Sequence, residues 1–297
     1  MKKLTVFTPT FNRAYCLGDL YKSLCAQTSQ DFLWLIIDDG STDNTKDLVD
    51  EWLAEQKIEI KYLYKENGGM HTGYNAAYKV IETELNMCMD SDDYCTTTAV
   101  EVILDHWQKN GSEKYAGILA LDSLKDGSVI GDRFPDNLPE TTIGGFYWIH
   151  RLKGDKKLIY RTDVVKKYPN YPEFAGEKFV PIFCLPFMID KDYKMLTLNE
   201  VVCVVEYRDD GSTKNIVRSY FNNPKGFNYS RTVRMIYSPS FRDRFRNAVH
   251  YVSGSMIATN RRFLADSPKK LLTFFAVPFG LLLFVYLKMA VKLKNQI

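Results

Sequence analysis

Between residues 4 and 121, short apolar runs alternate with stretches of helical period, and two of the runs end in clustered carboxylates. Residues 4–8, 32–37, 58–64, 85–89 and 115–121 have the length and the β-branched or aromatic content of strands. The run at 32–37 is continuously apolar, as a strand covered on both faces requires. Between the runs, Leu17, Leu20, Tyr21 and Leu24 recur at helical spacing, and Leu48, Val49, Trp52 and Leu53 form one face of a helix over 45–56. Helices are also predicted over 73–81 and 99–107, and Pro9 is expected to end the first strand. Strands alternating with helices in this way predict an α/β fold, a mostly parallel sheet flanked by helices. Past Asp122 the rhythm is lost; residues 158–160 and 201–207 read as later strands.

Asp38-Asp39 closes the second run, and Asp90-Ser91-Asp92-Asp93 closes the fourth. In an open α/β sheet the carboxyl ends of the strands are where ligands bind. Carboxylates crowded there repel one another, and a divalent cation bridging diphosphate oxygens relieves that repulsion. Asp38 taken alone is equally well a turn or helix-cap residue. No GxGxxG follows the first strand and no GxxxxGK[ST] occurs, so neither a dinucleotide site nor a P-loop is supported.

A content of 45% hydrophobic and 25% charged residues over 297 positions excludes a disordered or collagenous chain. Cysteines 16, 25, 88, 95, 184 and 203 form no CxxC pair, which predicts reduced thiols. The net charge of +3 hides an asymmetry: from Arg208 onward there are 16 Lys and Arg against 4 Asp and Glu, and before it 23 against 32. Within the basic part, residues 271–287 carry no charge and are bracketed by Lys269, Lys270 and Lys288. As a helix this stretch is about 25 Å long, short of a hydrocarbon core of about 30 Å. Pro278 and Gly280 interrupt it, so a helix lying in or dipping into an anionic membrane surface is expected rather than a clean span. The apolar run after Lys2-Lys3 is too short for a signal peptide, which predicts the cytoplasmic face of the cell membrane. Nucleic acid is not an expected partner, because the basic residues lie in the tail rather than beside the acidic clusters.

Thr8-Pro9-Thr10-Phe11-Asn12-Arg13, then Ile36-Ile37-Asp38-Asp39-Gly40-Ser41-Thr42-Asp43, then Asn67-Gly68-Gly69 with Asn75, then Asp90-Ser91-Asp92-Asp93 occur in that order. Together they closely resemble the family 2 glycosyltransferases of GT-A (Rossmann-like) fold. The resemblance implies inverting transfer of a sugar from a nucleotide donor, a UDP-sugar fitting best, to a saccharide acceptor. We expect that acceptor to be lipid-linked, in surface or capsular polysaccharide synthesis. It further implies that Pro9, Thr10, Asn12, Asp39, Asn67, Gly68 and Asn75 hold the donor, Asp39 accepting from the uracil N3–H. Asp90 and Asp92 would form the family's DxD motif, with Mn²⁺ or Mg²⁺ on Asp92 or Asp93. The general base is expected at Glu177, although Lys178 replaces the second acid that family members often carry; Asp190 and Asp192 are outside candidates. Arg208 and Lys214 lie where the family's donor-closing loop is expected, Arg208 on the donor's diphosphate. His71, beside Gly68-Gly69, is either a donor contact or a satisfied loop histidine. Phe146-Tyr147-Trp148, Tyr168 and Tyr171 are read as packing over the sheet in preference to an acceptor groove. The expected organisation is a nucleotide-sugar half at 1–122, an acceptor half at 123–214 and a basic helical region at 215–297. The alternative is a catalytically inactive sugar-nucleotide-binding or scaffolding member of the same fold.

Overall fold

A computed structural model describes residues 2–206 and 216–294, with side chains to residue 290. Two compact units are present: Met1–Asn170 with Asp192–Arg208, and Tyr171–Lys191 with Asp209–Ile297.

The first unit runs β1 (Leu4–Thr10), α1 (Ala14–Cys25), β2 (Phe32–Asp38), α2 (Thr45–Glu55), β3 (Ile60–Tyr64), α3 (Met70–Val80), β4 (Leu85–Cys88), β5 (Tyr94–Cys95), α4 (Ala99–Asn110), β6 (Tyr115–Ser123), β7 (Glu140–Thr141), β8 (Lys156–Arg161), α5 (Thr162–Val165) and β9 (Lys194–Val204). The strands form one sheet in the order β3-β2-β1-β4-β8-β6-β9-β5, with β7 paired to β9. Strands β1 to β4 are parallel, as the alternating pattern predicts. Strand β8 enters antiparallel between β4 and β6, so β6 keeps the direction of β4 without lying beside it.

Pro9 does not end β1; it pairs with Ile37 inside the strand. Phe7 O accepts from Met89 N on the β4 side, and Thr10 O accepts from Asp39 N on the β2 side. By alternation Pro9 faces the β4 side, where pairing has already stopped at Phe7–Cys88, so its missing N–H costs no ladder bond. The predicted face of α1 is buried, but on α2 only Val49 and Trp52 are; Leu53 points outward. Tyr21 of α1 stacks on Trp52 with ring centroids 4.3 Å apart, and both rings close over Trp34 of β2. Fully burying side chains such as Leu17 or Leu20 contributes roughly 1.5–3 kcal/mol each. On the opposite face, Tyr74 and Tyr78 of α3 set their rings edge-on to Phe7. Gly73 lets α3 approach β1, since a Cβ there would stand 3.0 Å from Pro9 Cβ.

The second unit contains α6 (Cys184–Ile189), α7 (Ile216–Asn222), α8 (Pro224–Tyr237), α9 (Phe241–Ile257), α10 (Phe263–Asp266) and α11 (Lys270–Lys294). Its core joins Met235 of α8, Ala248, Tyr251 and Val252 of α9, and Ala276 of α11. Arg234 of α8 holds Asp243 of α9 at 2.7 Å, which leaves that fully buried carboxylate compensated. Within α11, residues Lys270–Ala290 are long and apolar enough to cross a membrane.

Candidate active site

The carboxyl ends of β1 and β2 open into loops that bind each other. Asn12 adopts a left-handed backbone (φ 53°), which Asn tolerates, and this turns its side chain toward the loop after β2. Its Oδ1 accepts from Thr42 N at 2.7 Å, and its own N–H donates to Ser41 Oγ at 2.9 Å. Asp38, the last residue of β2, braces the turn that follows: it accepts from Ser41 N at 2.7 Å and from the Tyr62 hydroxyl at 2.6 Å. Burial and that bond to Asp38 hold the Tyr62 phenol well above its ordinary pKa. Gly40 (φ 83°) cannot carry a side chain, since a Cβ would lie 2.8 Å from Asn67 N.

Asp39 is only 3% exposed and gathers the loop at 65–69 around itself. One oxygen accepts from Gly68 N at 2.9 Å and from the Lys65 ammonium. The other accepts from Gly69 N at 2.7 Å and from Asn67 Nδ2 at 3.2 Å. A carboxylate has about four lone-pair sites, so these donors fill it. Of the four donors, Lys65 is the one carried on a flexible, partly exposed side chain. The loop delivers the chain to the start of α3, where His71 is buried in the first turn and Asn75 sits one turn further on, half-buried. Thr10 Oγ1 is buried at the end of β1 with no hydrogen-bond partner among the described residues.

The second acidic cluster follows β4. Asp92 keeps a partly exposed carboxylate 3.9 Å from Arg13 Nη1, which ties the cluster to the loop after β1. Asp93 is buried; it faces Lys157 of β8 at 3.9 Å and accepts from Glu206 N at 3.2 Å. Burial outweighs Lys157 and pushes the Asp93 carboxyl up to about 7. Burial likewise raises Asp90, despite the opposing pull of Lys157. Asp122 of β6 is raised for the same reason, and its Oδ1 is buried without a hydrogen bond among the described residues. Burial works to discharge Lys157, but Cys203, Asp122, Asp93 and Asp90 reverse that and raise it well above the usual lysine range.

Lys157 and Asp122 are the site residues that sequence reasoning missed. The available signal was a lysine one position before the apolar Leu158-Ile159, inside what proves to be a strand. Lys156 and Lys157 alternate across that strand: the ammonium of Lys156 bonds to Ile130 O at 3.0 Å instead.

Among the described residues no three His, Cys, Asp or Glu side chains converge as a metal cage. The residues do fit a cation held chiefly by substrate phosphates, which needs only one or two protein carboxylates. Asp92 has the reach and exposure for that, with Asp90 beside it, whereas Asp93 is turned toward Lys157.

In the second unit, Glu177 accepts from Lys225 N at 3.1 Å and from Gly226 N at 2.9 Å. Its carboxylate thereby caps the start of α8, satisfying amides that have no partner inside the helix and meeting the positive end of its dipole. Lys178 N donates to Asn223 Oδ1 at 2.9 Å, which fixes the same corner. Asp192, in the first unit, accepts from the Tyr168 hydroxyl at 2.9 Å. Phe146 is buried in the core, and Tyr171 is buried with its hydroxyl on Ile182 O, as the packing reading expects. Arg208 and Lys214 lie outside the described residues.

The model of the family described as "Glycosyl transferase family 2" matches residues 5–163, the span that holds every loop of the first unit's site. TarP of Staphylococcus aureus, a poly(ribitol-phosphate) beta-N-acetylglucosaminyltransferase, is 25% identical over 254 residues, covering 82% of this chain and 73% of that protein. Of S. aureus TarS, with the same activity in its name, the chain matches 29% of the full length. The structure of TarS 1-349 in complex with UDP-GlcNAc superposes with a TM-score of 0.61 at 17% identity, covering 98% of this chain and 92% of that one. The mannosyltransferase PcManGT from Pyrobaculum calidifontis, in complex with GDP-Man and Mn²⁺, superposes with a TM-score of 0.53 at 14% identity, covering 96% of this chain and 87% of that one. At these identities the two structures establish the shared fold.

Proposed function

This chain belongs to glycosyl transferase family 2, and from that premise we propose an inverting transfer from a UDP-sugar to a saccharide acceptor in cell-surface polymer synthesis. The acceptor is lipid-linked, and the enzyme works at the cytoplasmic face of the membrane. The observation that carries the reading is the mutual bonding of Asn12, Ser41, Asp39 and the 67–69 loop beside Asp92, at the strand ends where α/β sheets take nucleotides. Support also comes from TarS, of like fold, whose complex holds UDP-GlcNAc, and from TarP, named for transfer to poly(ribitol-phosphate).

In this reading Pro9, Thr10, Asn12 and Asp39 receive the nucleoside, with Lys65 moving off Asp39 to admit the base. Asn67, Gly68 and Asn75 line the same pocket. Asp90 and Asp92 face the diphosphate and sugar, and Asp92 is the carboxylate that would hold Mn²⁺ or Mg²⁺. A dication bound there neutralises charge on the leaving diphosphate. Glu177 takes the proton from the acceptor hydroxyl as its oxygen bonds to the anomeric carbon and the bond to the diphosphate breaks. Each Glu177 oxygen accepts one amide and keeps a lone pair for that proton.

Calorimetry with UDP, GDP and dTDP sugars in Mn²⁺ tests the donor, and transfer of radiolabelled sugar to polyol-phosphate and lipid-linked saccharide acceptors tests the reaction. UDP-sugar binding with turnover is expected; absence of nucleotide-sugar binding refutes the assignment. The second reading, a binding member without turnover, draws on Glu177 being committed to the start of α8. Tight donor binding with neither hydrolysis nor transfer would establish it instead.

A further inference from the structure

Helix α11 is built inside out. Its closest approaches to α9 are made by small residues: Thr273 and Ala276 are fully buried, and Gly280 lies so close to α9 that a Cβ would stand 2.5 Å from Val252 Cβ, while Leu272, Val277 and Leu287 fill the space beside them. Its outward positions are large and apolar: Leu271, Phe274, Phe275, Leu282, Val285 and Tyr286 are each more than half exposed. A water-facing helix has the reverse arrangement, and small residues between helices with bulk outward is the pattern of helices packed in lipid. The apolar surface continues onto α9, where Phe279 meets Phe245 at 5.8 Å and Phe245 stacks on the exposed Phe241. Exposed cations stand next in sequence to this surface: Arg242 and Arg246 on α9, Lys269 and Lys270 at the start of α11.

We infer that α11 lies in the plane of an anionic bilayer as a one-leaflet anchor, with its outward face in the acyl region and the flanking cations at the headgroups. Charge complementarity selects an anionic lipid surface as the occupant: residues 216–294 hold 14 Lys and Arg against Asp243 and Asp266. Crossing the bilayer is opposed by α9. That helix packs on α11 through Val252 and Phe245 and carries Arg242, Asp243, Arg244 and Arg246 in its first turns. A spanning α11 must either shed α9 or draw those charges into hydrocarbon, and the buried bond from Arg234 to Asp243 fastens α9 to α8 as well. An in-plane helix keeps all of these contacts.

The inference rests on the membrane association proposed above, and the two fail differently. The full chain is mixed with vesicles of phosphatidylcholine alone or with phosphatidylglycerol added, and bound protein is separated by flotation. Binding should rise at least about tenfold with the anionic lipid, and Phe275→Asp with Leu282→Asp should lower it at least about tenfold, while circular dichroism stays that of the parent. Spin labels on Phe274→Cys, Leu282→Cys and Met289→Cys, read against the labelled parent, then report depth. In-plane seating gives three similar shallow depths. A span puts 274 and 282 about 12 Å apart along the membrane normal at 1.5 Å per residue. That second result overturns the in-plane geometry alone. Failure to float on any vesicle overturns membrane association too, and a concentration-dependent dimer burying position 282 without floating identifies a second copy as the occupant instead. Donor binding by calorimetry is unaffected by any of these outcomes.

Discussion

Replacing Asp39 by Asn separates two jobs that one side chain can do. The carboxylate receives four donors, two of them the backbone amides of Gly68 and Gly69. An amide side chain offers one acceptor oxygen, so its NH₂ must face one of those backbone N–H groups whichever way it is turned. A buried amide left without an acceptor costs about 1–3 kcal/mol, and the surviving bond loses its charge assistance, a further ~1 kcal/mol. The ion pair with Lys65, whose side chain is 22% exposed, adds under about 1 kcal/mol after solvent screening. The sum is about 2–5 kcal/mol, and a unit of this size loses roughly 2–4 °C in Tm per kcal/mol. Thermal unfolding without nucleotide or metal should therefore show Asp39→Asn lower by on the order of 5–20 °C, alongside weaker UDP binding. A variant that keeps the parent Tm but loses UDP affinity would show that Asp39 serves the nucleobase only, and that the 65–69 loop is held by something else.

Asp92→Ala should leave stability within about 0.5 kcal/mol, because the side chain is partly exposed and makes one loose contact with Arg13; calorimetry should show Mn²⁺-stimulated UDP affinity gone, and undiminished stimulation removes Asp92 from the site. Asp93, raised from 3.8 to about 7, contributes stability that is complete below pH 4 and is lost as pH climbs through 7. Urea titrations of Asp93→Asn should lack that decline, which for the parent is on the order of 4 kcal/mol; an unchanged pH slope assigns it to other groups. Lys157→Met should destabilise by about 3–5 kcal/mol at pH 8, where carboxylates would be left facing no ammonium, and by far less at pH 4. Equal losses at both pH values would reduce Lys157 to packing. Gly226→Ala sets a Cβ 2.0 Å from Phe179 O and should lower the Tm of the helical unit, a wild-type melting curve being the contrary result. Glu177→Gln should abolish sugar transfer with donor affinity intact; retained turnover leaves Glu177 as a helix cap alone.

What the sequence disclosed is what local spacing can encode. Leu17, Leu20, Tyr21 and Leu24 face the core because a 3.6-residue period admits no other continuous face, and the run at 32–37 is apolar because helices cover both its sides. What it withheld depends on partners distant in the chain. Strand β8 slips between β4 and β6 through pairings such as Asn86 with Tyr160, which no short window contains. Glu177 finds its donors 48 and 49 positions downstream. Leu53 has the right spacing for the core face and misses it, because Val49 and Trp52 already fill the space over Trp34. Lys157 stands just before Leu158-Ile159 in the chain, and only the insertion of β8 between β4 and β6 sets its ammonium among the acids.

The two acidic clusters look alike in sequence, yet the fold treats them oppositely, and this difference locates the demand for a ligand. Asp38 and Asp39 are buried but amply served: Tyr62, Ser41, Lys65, Asn67, Gly68 and Gly69 supply their donors. Such acids are already satisfied before any ligand arrives, and they shape the loops that carry them. After β4 the ratio inverts. Asp90, Asp93 and Asp122 crowd around the Lys157 ammonium, Asp122 keeps an oxygen with no hydrogen bond among the described residues, and burial raises all three carboxyls. A fold that needed only stability would gain by replacing one of these acids with an apolar residue, since under-compensated buried charge costs more than good packing. Retaining them leaves a negative field at the strand end, and under the proposed function the partly exposed Asp92 is the carboxylate through which an incoming positive charge would meet it.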